Sequence, residues 1–165
     1  MKILRLFGIT MVLSLAISYS TFTQTSNMSF FLTSMGPGDG ANLGGLDGAD
    51  RHCSLLASAA GAAGTTWRAY LSTTGANGEN ARDRIGSGPW YNYNGVAIAQ
   101  DVDNLHSDSN NLTKETQLNE KGEITNGRGD DPNMHDILTG SQLDGTASAG
   151  SDDSTCGNWT SNSEG

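Results

Sequence analysis

Between Gly48 and Gly61 the stretch GADRHCSLLASAAG places Cys53, Leu56 and Ala60 at i, i+3 and i+7, the spacing of one helical face. Asp47 stands where it can cap that helix, Asp50 falls in the first turn, where the helix dipole favours a carboxylate, and Gly61 and Gly64 close it. Further on, TWRAYLST alternates Trp67, Ala69 and Leu71 with Arg68 and Tyr70, the period of a half-buried strand. SFFLTS, from Ser29 to Ser34, reads as another short strand. The intervening MGPGDGANLGGLDGAD is so dense in Gly and Asp that it is a loop with several positive φ angles. Asn77-Gly78 and Asn94-Gly95 are turn signals around brief apolar pieces at 89–91 and 96–99. Beyond Leu105 the periodicity is lost until Ile137-Leu138. One main helix, short strands and 22 glycines in 165 residues predict a loop-rich α+β domain without a repeat of fixed period.

The first twenty residues have a different pattern. Lys2 and Arg5 precede an apolar run from Leu6 to Ile17, and small residues follow around Ser18 and Ser20, the layout of a secretory signal peptide. The run is short for a membrane span, and no other segment reaches the roughly 18–20 apolar residues such a span needs. Residues 1–20 are therefore expected to be a signal peptide, 21–29 an unstructured Thr/Ser/Asn/Gln lead-in, and 30–165 a single domain exported to the outside. No membrane insertion is expected once the signal is removed.

Charge and cysteine content narrow the function. The net charge of −9 becomes −11 once Lys2 and Arg5 are removed, leaving 7 basic residues against 18 acidic. Nucleic acid and anionic lipid are poor partners for such a surface, which suits solubility, calcium or basic ligands. Cys53 and Cys156, far apart behind an export signal, favour disulfide bonding over metal binding or catalysis, and on the residues alone a 53–156 bridge is the simplest pairing.

Enzyme signatures are absent. The three histidines, His52, His106 and His135, have no metal-ligand spacing, and neither G-x-S-x-G nor a phosphate-binding loop occurs. Arg128-Gly129-Asp130 is a tripeptide that adhesion receptors can read on an exposed loop, or a plain turn in a Gly/Asp-rich chain. Asn27, Asn111 and Asn158 each open an N-x-[ST] sequon. GSQLDGTASAGSDDSTC gathers Gln142, Asp144, Asp152 and Asp153 on a glycine-rich loop, part of the 6 to 8 oxygens calcium takes, or a solvated polar loop.

Several stretches together resemble the endostatin-type branch of the C-type lectin-like fold. LDGADRHCSLLASAAGAAGTTWRAYLST is similar to that family's Cys-bearing helix and the R-A-[FY]-L-S strand after it. ARDRIGSGPWYNYNGVAIAQDVDNLH looks like its arginine-containing segment, P-x-x-N turn and hydrophobic return. GRGDDPNMHDILTGSQLDG and STCGNWT look like its long loop and the strand with the second Cys. The resemblance spans Phe30 to about Gly165. It implies that Cys53 and Cys156 pair with two further cysteines, which this chain does not contain, so the domain is expected to be incomplete at its C-terminus. It also implies a calcium and sugar motif at Gln142-Leu143-Asp144, similar to the family's galactose-type Q-P-D, with Asp153 a weaker third ligand. Leu143 departs from the family's cis proline. The heparin and zinc binding known for endostatin are not carried over, given the acidic charge and scattered histidines.

The sequence is thus read as a secreted, non-enzymatic module that binds carbohydrate, with calcium, or is adhesive. The alternative is a matrix or cell-surface protein-interaction module that uses neither sugar nor calcium, and a hydrolase with a carboxylate pair is the weaker third reading. Cys53, Trp67, Leu71 and Trp159 are assigned to the core.

Overall fold

The computed structural model describes residues 27–62, 64–150 and 152–163. The expected signal peptide and the lead-in up to residue 26 lie outside the described residues. Met28 and Ser29, expected to end the lead-in, belong to the domain. Met28 is buried, and the N–H groups of Ser29 and Phe30 both donate to the Tyr91 carbonyl.

The elements in chain order are α1 (Gly45–Ala59), α2 (Ala81–Arg84), β1 (Trp90–Tyr91), β2 (Ala97–Ala99), α3 (Val102–Leu105) and α4 (Cys156–Trp159). Only α1 is longer than a turn or so, and β1 and β2 form a two-stranded antiparallel sheet. The domain is small and loop-rich, compatible with an α+β class. No helix among the described residues is long and apolar enough to cross a membrane.

Helix α1 begins earlier than its capping signal suggested. Gly44, left-handed at φ 75°, is the N-cap, no side chain caps the end, and Asp47 lies inside the first turn. Its inward stripe also differs. Ala49, Asp50 and Ala57 are buried and Cys53 is partly buried between them, whereas Leu56 and Ala60 are only partly covered. The i, i+4, i+8 row of small residues puts little bulk between α1 and the chain it packs on. At its C-terminus Gly61 (φ 91°) allows the closure typical of helix ends, with Gly61 N–H donating to Ser58 O and Ala62 N–H to Ala57 O at 2.8 Å.

Residues 67–71 keep the expected alternation, with Trp67, Ala69 and Leu71 buried, and Ser72 and Thr73 are buried as well, yet 67–73 are not a strand. No strand among the described residues pairs with them. At Ala69 side chains do that work: its N–H donates to Asp50 Oδ1 at 2.8 Å and its carbonyl accepts from Arg84 Nη1. The expected strand at 29–34 is likewise reduced to a single parallel bridge between Leu32 and Asn119. The Asn94-Gly95 signal is realised as a turn. β1 and β2 pair Trp90 with Ala99 and Tyr91 with Ala97 around a bulge, and buried Asn92 closes the turn by accepting from Asn94 N–H and Val96 N–H, both at 3.0 Å.

Two apolar clusters form the core. One joins Ala49, Ala69, Leu71 and Trp159; the other joins Met28, Ala57 and Trp67, with Phe31 set edge-on against Trp67 at 4.8 Å between ring centroids. Cys53 touches both. The inward assignment of Trp67, Leu71 and Trp159 therefore agrees with the structure. The stretch around Cys156, expected as a strand, is instead the left-handed turn α4, with φ of 49° at Cys156, 63° at Gly157, 55° at Asn158 and 66° at Trp159.

Asp50 ties α1, the extended segment and α2 together. Its carboxylate meets Arg68 Nη1 at 2.6 Å and both terminal nitrogens of Arg84, at 3.0 and 3.2 Å, with the Asp50 and Arg84 side chains only 9% and 8% exposed. Burial pushes its pKa up, but the bonds from Arg68, Ala69 N–H and Arg84 outweigh this and hold it below the usual carboxylate range. Asp50→Ala leaves Arg84 buried without its partner and is expected to cost about 3–5 kcal/mol. Because the folded pKa is depressed, the contribution is complete above the unfolded value and is lost as pH falls through the folded one. Urea melts between about pH 2 and 5 should therefore show an acid loss of stability that Asp50→Asn flattens. Parallel losses in the two proteins would remove Asp50 from this role.

Candidate functional site

Gln142, Leu143 and Asp144 form the tip of a tight turn, closed by Gln142 N–H to Thr146 O at 2.8 Å and flanked by a bridge between Ser141 and Ala147. Leu143 stands out at 97% exposed. The cis peptides among the described residues are Gly88–Pro89 and Asp131–Pro132, so position 143 does not reproduce the cis bond of the resembled motif. Asp144 accepts from both Thr146 N–H (3.0 Å) and Thr146 Oγ1 (2.7 Å) on one oxygen, Oδ1. The Thr146 hydroxyl, then its N–H and the nearby Arg82 charge, keep the Asp144 pKa low, so the exposed group is a carboxylate. The Gln142 amide donates to Ala147 O at 3.1 Å.

The turn is buttressed from below. Arg82 Nη1 donates to Asp144 O at 2.8 Å, Arg82 N–H donates to Gly145 O, and Arg82 Nη2 holds Asp103 at 3.0 Å. Gly145 (φ 79°) lies directly on His106: a Cβ there would come within 2.2 Å of Nε2. His106 is fixed in turn by Tyr70 OH at 2.7 Å on Nε2 and by Val102 O at 2.6 Å on Nδ1. Burial raises the Tyr70 pKa, so the phenol keeps its proton. Sequence reasoning placed neither Arg82, His106 nor Tyr70 near this turn, because they come from three segments that only the fold brings together.

Asp153 belongs to a second, separate turn. It accepts from Thr155 Oγ1 (2.7 Å), Thr155 N–H (2.9 Å) and Gly157 N–H, and these bonds lower its pKa, the Thr155 hydroxyl most. An open cleft of about 260 Å³ beside it is lined by Thr74, Gly150, Asp152, Asp153, Thr155, Gly157 and Asn158, and by neither Gln142 nor Asp144. Among the described residues no three His, Cys, Asp or Glu gather as a metal group. The three residues expected to ligate calcium thus lie on two turns, Gln142 and Asp144 on one and Asp153 on the other.

Arg128 and Gly129 are exposed, but Asp130 is engaged by Gly127 N–H at 2.7 Å and by Lys114, and these hold its pKa low. The three histidines lie apart: His52 bonds Met35 O at 2.8 Å, His106 backs the turn, and His135 sits 3.4 Å from Asp136.

Comparison with known proteins brings no relative: no family model, curated protein or solved structure matches this chain.

Cys53 and Cys156 are free thiols, so the 53–156 bridge expected from the residues alone is not formed. Cys53 faces the core from α1 while Cys156 lies on the left-handed turn, and both are partly buried. Burial, with the charge of Asp50, pushes the Cys53 thiol up to about 11, so almost none of it is thiolate near neutral pH. A colorimetric thiol reagent at mildly alkaline pH is expected to titrate Cys156 ahead of Cys53 in the native protein and both at once in denaturant. Equal native rates, checked against Cys53→Ser, would contradict the buried placement.

Proposed function

We propose that this chain is a secreted, non-enzymatic binding module of the C-type-lectin-like kind that takes a carbohydrate on the Gln142–Asp144 turn. The observation that carries this reading is the presentation of the turn itself: an ionised carboxylate and an apolar tip held outward on a base of Arg82 and His106. Sugars offer paired hydroxyl donors and an apolar C–H face. A carboxylate accepts from the first and Leu143 packs against the second. In this reading the contacts are direct, from Asp144 and the Gln142 side-chain carbonyl to hydroxyls, and the separate turn that carries Asp153 supports it. The resemblance to Q-P-D favours galactose-type sugars.

Binding to immobilised galactose-type glycans, with and without a chelator, tests this. Asp144→Ala is expected to weaken binding by about tenfold or more, as loss of a charged hydrogen-bond acceptor does, while the chelator leaves binding unchanged. Loss of binding on chelation would replace direct contact by a cation bridge. No binding to any glycan would leave the protein-interaction reading in its place.

A further inference from the structure

Residues 131–138 are exposed without a break, and no backbone–backbone hydrogen bond of 133–138 occurs among the described residues. The span is nevertheless held at both ends. On one side Asn126 Nδ2 donates to Pro132 O at 3.0 Å and Asp130 is tied to Lys114; on the other, Ser72 N–H donates to Thr139 O at 2.8 Å. Within it Met134, Ile137 and Leu138 are 50%, 56% and 55% exposed. Single exposed apolar residues are ordinary, but three large ones in five positions are not.

Their spacing is i, i+3, i+4, one face of a helix, preceded by Asp131 and Pro132, residues suited to a helix N-cap and first position, and followed by Gly140 at φ 60°, suited to its end. The chain carries a helical signal here that its own fold does not use. A helix this short is unstable without a surface for its apolar face, and among the described residues nothing covers these three side chains more than half way. Charge identifies what would supply it. After Arg128 the sequence holds seven acidic residues and no Lys or Arg; Asp131 precedes the three apolar residues and Asp136 lies between Met134 and Ile137.

We propose that residues 131–138 are a docking segment for a cationic, apolar polypeptide segment of a partner protein, with Met134, Ile137 and Leu138 as anchors and Asp131 and Asp136 as the charges that select it. Charge complementarity commits the surface to that occupant: an anionic bilayer is repelled, and a second copy would bring the same acidic residues face to face. The segment is separate from Gln142 and Asp144, so it stands or falls independently of sugar binding.

The full chain is titrated with a fluorescent helical peptide made of leucine and lysine alone, and with its glutamate-for-lysine counterpart. The expected result is binding of the cationic probe only, weakened about tenfold by the double variant Ile137→Ser/Leu138→Ser, as loss of central apolar anchors does. Asp131→Asn/Asp136→Asn should weaken it too and flatten its salt dependence. Leu55→Ser, at an exposed apolar position on α1, should change nothing, and thermal melts check that all variants fold. The proposal is overturned if the probe does not bind, if the span variants bind as the parent does, or if Leu55→Ser weakens binding equally. It is also overturned if Ile137→Ser/Leu138→Ser abolishes vesicle binding or self-association in sedimentation while leaving the peptide unaffected.

Discussion

An extended segment that carries core residues must find partners for its backbone amides, and among the described residues no adjacent strand supplies them to 67–73. Asp50 and Arg84 fill that need at the centre of the segment, accepting from the N–H and donating to the carbonyl of Ala69. The same two side chains pair with each other, so one ionic contact fixes the height of α1 over the extended chain and the position of α2 beneath it. A buried ion pair adds little over an apolar replacement, but breaking it is expensive, because the surviving charge has no water. Arg84 Nε, though buried, has no hydrogen bond, and the Glu79 carboxylate stands 3.8 Å from it. Both apolar clusters touch this assembly through Cys53, one turn along from Asp50 on α1.

The left-handed turn at 156–159 depends on the core so organised. Three non-glycine residues with positive φ cost about 3–6 kcal/mol together, at 1–2 each. The turn persists because it delivers Trp159, 1% exposed, into the cluster of Ala49, Ala69 and Leu71, with its ring N–H on Ser72 O at 2.8 Å. Removing a buried Trp from a core costs about 3–5 kcal/mol, comparable to the strain. Asn158 adds a clasp, accepting from Thr74 N–H at 2.8 Å and donating to Thr74 O at 3.2 Å. The extended segment held by Asp50 is thus also the surface on which the far end of the described chain closes.

These particulars explain which features could be read from the residues. Helix α1 and the hairpin at Asn94-Gly95 were legible because their signals are local: a 3.6-residue period and a turn dipeptide. Asp50 was placed in the first turn for its dipole, since nothing in the local sequence says that two arginines, 18 and 34 residues further on, will converge on it. The alternation in 67–71 gave Trp67, Ala69 and Leu71 correctly as inward, but missed buried Ser72 and Thr73 and gave the wrong element, because alternation reports burial and not the presence of a neighbouring strand. In the candidate site Gln142 and Asp144 were legible as a polar turn, whereas its support by Arg82, His106 and Tyr70 is purely tertiary. The left-handed turn left only the faint hint of Gly157 and Asn158, two residue types that tolerate positive φ.

The acidic residues of the last loops serve two purposes that sequence composition does not separate. Asp144 and Asp153 each accept the N–H and hydroxyl of the threonine two positions on, so part of their charge is spent shaping the backbone. At Asp144 both local donors fall on Oδ1, at Asp153 the donors are spread over both oxygens, and in each case they lower the pKa below the usual carboxylate range. Asp131 and Asp136 differ: they lie on an exposed span without regular structure, Asp136 with His135 at 3.4 Å, and their charge contributes to the field outside the molecule. Loop-building acids favour short, directional contacts such as those to sugar hydroxyls, and field-forming acids beside exposed apolar groups favour a cationic polypeptide. The two proposed kinds of recognition thus rest on different uses of one composition, distinguished by what each carboxylate already holds.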